Sequence, residues 1–163
     1  MRVLITRIAL LFVLSSSLLV AGCGFHLRGK IDVPESLMRL HVKGTDVELV
    51  HDLERSLRFS DIAIVDEGDN AALVDLSNTT YVKEVNGTTS GGIASNYKMT
   101  YTVNYVVTDA NGELLQKDSV NQSRTLAYDA SNILLFEREE DFLKEEMRKE
   151  LVSFMLRRMS KIQ

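Results

Sequence analysis

Apolar and polar positions alternate most clearly over residues 97–108. Tyr97, Met99, Tyr101, Val103, Tyr105 and Val107 fall on one side, and Lys98, Thr100, Thr102, Asn104, Val106 and Thr108 on the other. That period of two predicts a half-buried strand. The same period sets Met38, Leu40 and Val42 against Arg39, His41 and Lys43, predicting a strand over residues 37–43. Residues 62–65 read as a short apolar strand or extended return. Residues 72–85 begin as a strand with Val74 and Leu76 on one face, but the alternation fades after Asn78. Asn86-Gly87 and Ser90-Gly91-Gly92 mark a loop over 86–96. Asn111-Gly112 is a favoured centre for a type I′ hairpin turn, so residues 114–127 are expected to return antiparallel.

Helical spacing occurs twice. Leu49, Leu53 and Leu57 recur every four residues and predict a helix from Asp46 to about Arg58. A capping box marks its start: Thr45 caps, and Glu48 reaches back. Leu143, Met147, Leu151, Phe154, Met155, Met159 and Ile162 form the stripe of a second, longer helix. It starts after the cap-like stretch 129–132 and runs to about Lys161. Its Glu139-Glu140-Asp141 lie early and its Arg157, Arg158 and Lys161 late, as the helix dipole prefers. Two such helices can cover one face of a mostly antiparallel, four-to-five-stranded sheet. The expected fold is therefore α+β, a two-layer sandwich with the other sheet face open.

The N-terminus follows a different rule. Arg2 and Arg7 precede an uncharged run from Ile8 to Gly22, too short to be a spanning helix and laid out as a secretory signal. Val20-Ala21-Gly22-Cys23 resembles the lipobox of bacterial lipoproteins, in which the cysteine thiol receives a diacylglyceryl group. Cys23 is the only cysteine, so it is the lipidation candidate, and its covalent lipid the only non-protein group expected; no cofactor is implied. One acyl chain holds weakly whereas two or more anchor stably, which sets the chain on a membrane surface without spanning it. Gly24 stands where lipoproteins kept at the inner membrane commonly carry aspartate, implying export to the cell outer membrane. The expected division is a signal peptide at 1–22, a lipidated tether at 23–36 and one domain at 37–163.

Removing residues 1–22 takes two of the 19 basic residues and no acidic one, leaving 17 against 23 and a net charge of −6. So acidic a body argues against nucleic acid as a partner. No catalytic constellation emerges: there is no glycine-rich phosphate loop, and lipidation consumes the sole thiol. His26, His41 and His51 are too scattered for a metal site. The acidic run 137–141 reads as a solvated helix start, and a lipid-anchored hydrolase finds no support. Binding or assembly remains. The Thr- and Tyr-rich strand 97–108, with the polar strand after it, offers side chains that hydrogen-bond while presenting little charge; an ordinary solvated face would look the same.

Cys23-Gly24-Phe25-His26-Leu27-Arg28-Gly29 followed by Val33-Pro34, the strand from Tyr97 through Asn104, and the helix around Lys144-Glu145-Glu146-Met147 together resemble the LPS-assembly lipoprotein family LptE. The resemblance extends over the mature chain in element order and length. It implies an outer-membrane lipoprotein that sits in the lumen of the large β-barrel LptD, plugs it, helps it assemble and binds lipopolysaccharide on its way to the outer leaflet. A barrel lumen is polar, which suits such a strand face. An accessory lipoprotein of another envelope lipid-transport complex is the alternative. In the family, basic residues near the 86–96 loop and the last helix's start are candidates for phosphate contacts. Here that loop has none, and Glu137 and Glu139 stand at the helix start; the nearest replacements are Lys83, Lys98 and Arg124, with Arg138 behind them.

Overall fold

The computed structural model describes residues 33–67 and 70–162. Cys23, the signal stretch and most of the expected tether lie outside the described residues, as do Gly68 and Asp69 of the expected solvated turn. A short 3-10 turn, Glu35–Leu37, leads into β1 (Arg39–Gly44), α1 (Val47–Phe59) and β2 (Ala63–Ile64). Three long strands follow, β3 (Ala72–Thr88), β4 (Ala94–Thr108) and β5 (Leu114–Ala127), and then α2 (Ile133–Met159). They form one five-stranded sheet in the order β2-β1-β3-β4-β5. β1 pairs parallel with both β2 and β3, while the much longer β3–β4 and β4–β5 ladders are antiparallel. Both helices pack on one face, giving the expected α+β sandwich.

The predicted inner stripes form the core. Leu49, Leu53 and Leu57 of α1, Met99, Tyr101, Val103, Tyr105 and Val107 of β4, and Met147, Leu151, Met155 and Met159 of α2 are all fully buried. Val33 already packs against this core, and Leu37 is within it. Of the three apolar positions expected on β1, Leu40 and Val42 are buried, whereas Met38 precedes the strand and stays exposed.

Several local expectations change for identifiable reasons. The α1 cap is Asp46, one residue later than expected: its Oδ1 accepts from the Leu49 N–H at 3.0 Å, while the Thr45 hydroxyl donates to the Ser77 carbonyl. Glu48 faces α2 instead of reaching back, and pairs with Arg148. At the other end Asp61 takes a left-handed φ of 62°, so the Asp61 and Ile62 N–H groups close on the Arg58 and Leu57 carbonyls. That is the Schellman arrangement, and buried Ile62 supplies its apolar contact. The β4–β5 turn is not type I′, which needs a positive φ at Asn111 as well as Gly112; only Gly112 has one, at 85°. Gly112 N–H bonds to the Asp109 carbonyl, and the Asp109 carboxylate accepts from the Asn111 and Glu113 N–H groups. The expected loop at 86–96 is shorter, because β3 runs on to Thr88 and β4 starts at Ala94.

The fading alternation in β3 is a bulge. Asp75 faces Val106 and Asn78 faces Asn104, so Leu76 and Ser77 oppose the single residue Tyr105. The extra residue reverses the parity: Val74 and Leu76 point to the helices before it, and Thr79, Tyr81 and Lys83 after it.

Candidate functional site

The bulge sets which side chains form the uncovered face of the sheet. Three successive cross-strand rows run Asn78–Asn104–Ser119, Thr80–Thr102–Asn121 and Val82–Thr100–Ser123. None of these side chains is charged. Thr100 and Ser123 hydroxyls meet at 3.0 Å, and Asn104 Nδ2 donates to the Asn78 carbonyl at 3.4 Å. Such pairs consume only part of each group's bonding capacity, so hydroxyls and amides remain for a partner. Charged rows bound this uncharged stretch at both ends, Asp75–Val106–Lys117 on one side and Glu84–Lys98–Thr125 on the other.

The three cations singled out from the sequence do not converge. Lys83 and Arg124 flank Met99 on the helix-covered face, and Lys98 points to the open one. Lys83 Nζ lies 2.7 Å from Glu140 Oε2 and stands over the rings of Tyr97 and Phe136 at 5.8 and 5.4 Å. Tyr97, Tyr128 and Phe136 pack ring against ring, joining the sheet's far end to the first turn of α2. Arg124 Nη2 bonds both oxygens of Glu150, at 2.8 and 2.7 Å. Each of these two cations thus ties the sheet to α2. Lys98 is exposed and has no carboxylate partner among the described residues, and Arg138 is likewise exposed and unpaired there.

A second polar network lies between the helices. Arg148 is 8 % exposed and donates to Asp52 at 2.6 Å and to Glu48 at 2.5 Å. Beside it, the Tyr101 hydroxyl donates to Asp46 Oδ2. Burial opposes ionisation of Asp46, but the bonds from Tyr101 and the Leu49 N–H, with Lys144 and Arg148 nearby, hold its carboxyl below the usual range. Burial and then Asp46 push the Tyr101 phenol well above its ordinary value. Tyr105 is pushed up to about 12, first by burial and then by the Asp118 charge, although its hydroxyl makes no aligned hydrogen bond. Both phenols thus stay protonated at physiological pH.

Among the described residues, no group of three or more histidine, cysteine or carboxylate side chains is placed to hold a metal ion. No described helix is long and apolar enough to cross a membrane. The family model described as "Lipopolysaccharide-assembly", LptE, matches residues 35–159, from the first 3-10 turn to the end of α2. The chain belongs to the LptE family. It is 29 % identical over 146 residues to the LPS-assembly lipoprotein LptE of Pectobacterium atrosepticum, covering 87 % of this chain and 79 % of that one. It is 26 % identical to the protein of the same name from Photorhabdus laumondii, over 94 % and 85 % of the two chains. Among solved structures, lipoprotein B of Nitrosomonas europaea superposes with a TM-score of 0.70 at 22 % identity, over 84 % of this chain and 90 % of that one. Rare lipoprotein B of Shewanella oneidensis gives 0.65, also at 22 %, over 75 % and 93 %. At such identity the two structures speak for the fold alone.

LptE is a non-enzymatic lipopolysaccharide-assembly family. Sequence reasoning missed the role of the α2 carboxylates. Glu140 reads as part of a solvated helix start, yet it and Glu150 each meet a sheet cation. Their spacing of ten residues leaves them about 80° apart around α2, on one broad side of the helix. Arg148 gave no local signal, because its partners lie about a hundred positions away.

Proposed function

We propose that this LptE-family chain is an outer-membrane lipoprotein, exported by a signal at residues 1–22 and anchored through acyl chains, palmitate among them, on Cys23. Its domain plugs the lumen of the LptD β-barrel, helps that barrel assemble, and takes part in passing lipopolysaccharide to the outer leaflet. The observation that carries this reading is the uncovered sheet face: long, polar and uncharged over three rows. A barrel interior is itself polar, and an uncharged hydroxyl- and amide-bearing face can bond to it without stranding a charge in a narrow space. Of the sequence-derived cations, Lys98 is assigned first contact with lipopolysaccharide phosphate, since no carboxylate holds it. Lys83 and Arg124 would have to exchange Glu140 and Glu150 for phosphate.

The test is isolation of the native complex from outer membranes with the full chain as bait. The reading expects a large β-barrel in one-to-one amount with the wild type, and its loss in the exposed-face variant Thr80→Glu/Thr102→Glu even though that variant unfolds at the wild-type urea midpoint. Recovery of an inner-membrane ATPase in place of a barrel would favour the accessory-lipoprotein alternative and refute this one.

A further inference from the structure

The last turn of α2 and the β5 edge enclose a groove of about 530 Å³, lined among others by Ser119, Asn121, Phe154, Arg157, Arg158 and Lys161. Arg158 is already engaged, 2.6 Å from Asp118 and donating to the Ser119 carbonyl at 3.0 Å. Arg157 and Lys161 are not neutralised. The Arg157 guanidinium lies over the Phe154 ring at 4.7 Å and donates to the neutral Ser153 hydroxyl at 2.8 Å. Lys161 is exposed, and neither cation meets a carboxylate among the described residues. The contrast with Lys83 and Arg124, each held by a glutamate, is sharp. In a chain where acids outnumber bases, this groove has the reverse balance.

The helix dipole favours cations in a last turn, and that accounts for their sign. It does not account for a hollow in which they stand beside the hydroxyls of Ser119 and Ser160 and the amide of Asn121. A guanidinium already resting over an aromatic ring presents its donor fork with little further loss of entropy, and phosphate is what that fork fits. Ser119 and Asn121 also end two rows of the uncharged sheet face, so the groove opens beside that surface.

We propose that this groove binds the phosphate of a phosphorylated saccharide, with Arg157 and Lys161 supplying the charge and Ser119, Asn121 and Ser160 bonding to ring hydroxyls. That the saccharide comes from lipopolysaccharide rests on the function proposed above; the chemistry of the groove does not.

The full chain in detergent micelles is titrated with glucosamine 1-phosphate and with glucosamine, following backbone amide NMR shifts, for the wild type and for Arg157→Gln/Lys161→Gln. Both substituted positions are exposed, and unchanged shifts elsewhere verify the fold. The phosphate ester is expected to move the Ser119, Asn121 and Ser160 amides, glucosamine to leave them, and the double variant to bind at least about tenfold more weakly, the effect of about 1.4 kcal/mol. Purified lipopolysaccharide is then added as competitor. Competition supports the groove and its source of ligand together. Saturable phosphate-ester binding without competition supports the groove and counts against lipopolysaccharide as its ligand. No shift at these amides, or equal shifts in the double variant, overturns the inference.

Discussion

Asp46 does two tasks at once: it caps α1 through the Leu49 N–H and accepts the Tyr101 hydroxyl from the middle of the sheet. Its carboxyl titrates below the usual range although burial pushes the other way. A carboxylate depressed in the folded state contributes stability that is present above its unfolded pKa and lost as pH falls through the folded value. The sign gives a prediction. Urea unfolding of the wild type from pH 6 to pH 3 should lose more stability than the same series on Asp46→Asn, in which an amide keeps the cap but cannot titrate. Parallel pH profiles for the two proteins would remove Asp46 from the account. The sequence showed an N-terminal cap here but pointed to its neighbour, because Thr45 has Glu48 at the capping-box spacing whereas Asp46 has Leu49 there. Tertiary contacts decided: Ser77 occupies Thr45 and Arg148 occupies Glu48.

At the level of elements, the sequence was most legible where one periodicity runs unbroken. β4 and the inner stripes of both helices were readable because a period of two or of 3.6 persists across them, whereas β5 was placed by the Asn111-Gly112 turn before it. β3 was half-legible, since the extra residue at Leu76-Ser77 swaps its faces midway and a pattern read with fixed parity dissolves there. The turn after β4 was misread because Asn-Gly also fits a loop in which only the glycine is left-handed. The cations were readable as residues but not as a site: face assignment depends on the bulge, and neutralisation depends on α2, remote in sequence. β1 ends where Gly44 faces Leu76, and a Cβ at Gly44 would stand 2.9 Å from both Leu76 Cβ and Val50 Cγ2. The Leu76 atom sits next to the backbone and cannot swing aside. Gly44→Ala should therefore cost about 1–3 kcal/mol, an overpacking penalty, read as a lower urea midpoint with an unchanged slope. A midpoint equal to the wild type would mean that α1 and β3 are less closely joined than described.

The whole molecule is long and directional. β3 alone spans roughly 50 Å at strand rise, and the described chain starts beside the opposite end from the β3–β4 hairpin tip. The hairpin and the exposed Ile93, Leu134 and Leu135 lie at the end far from that start. If the anchor is lipid on the one cysteine sulfur, Cys23→Ser should abolish labelled-palmitate incorporation and release the chain from outer-membrane fractions, with no change in the folded domain's unfolding midpoint. Label retained by the variant would contradict the anchor.

The proposed plug seats the uncharged sheet face against a barrel wall. A photoreactive side chain placed at Thr102, in the middle of that face, tests it in native membranes. The expected product is a cross-link to one large outer-membrane β-barrel protein. A photoproduct with an inner-membrane protein, or none at Thr102 while a probe at the helix-side Glu146 does cross-link, would contradict it.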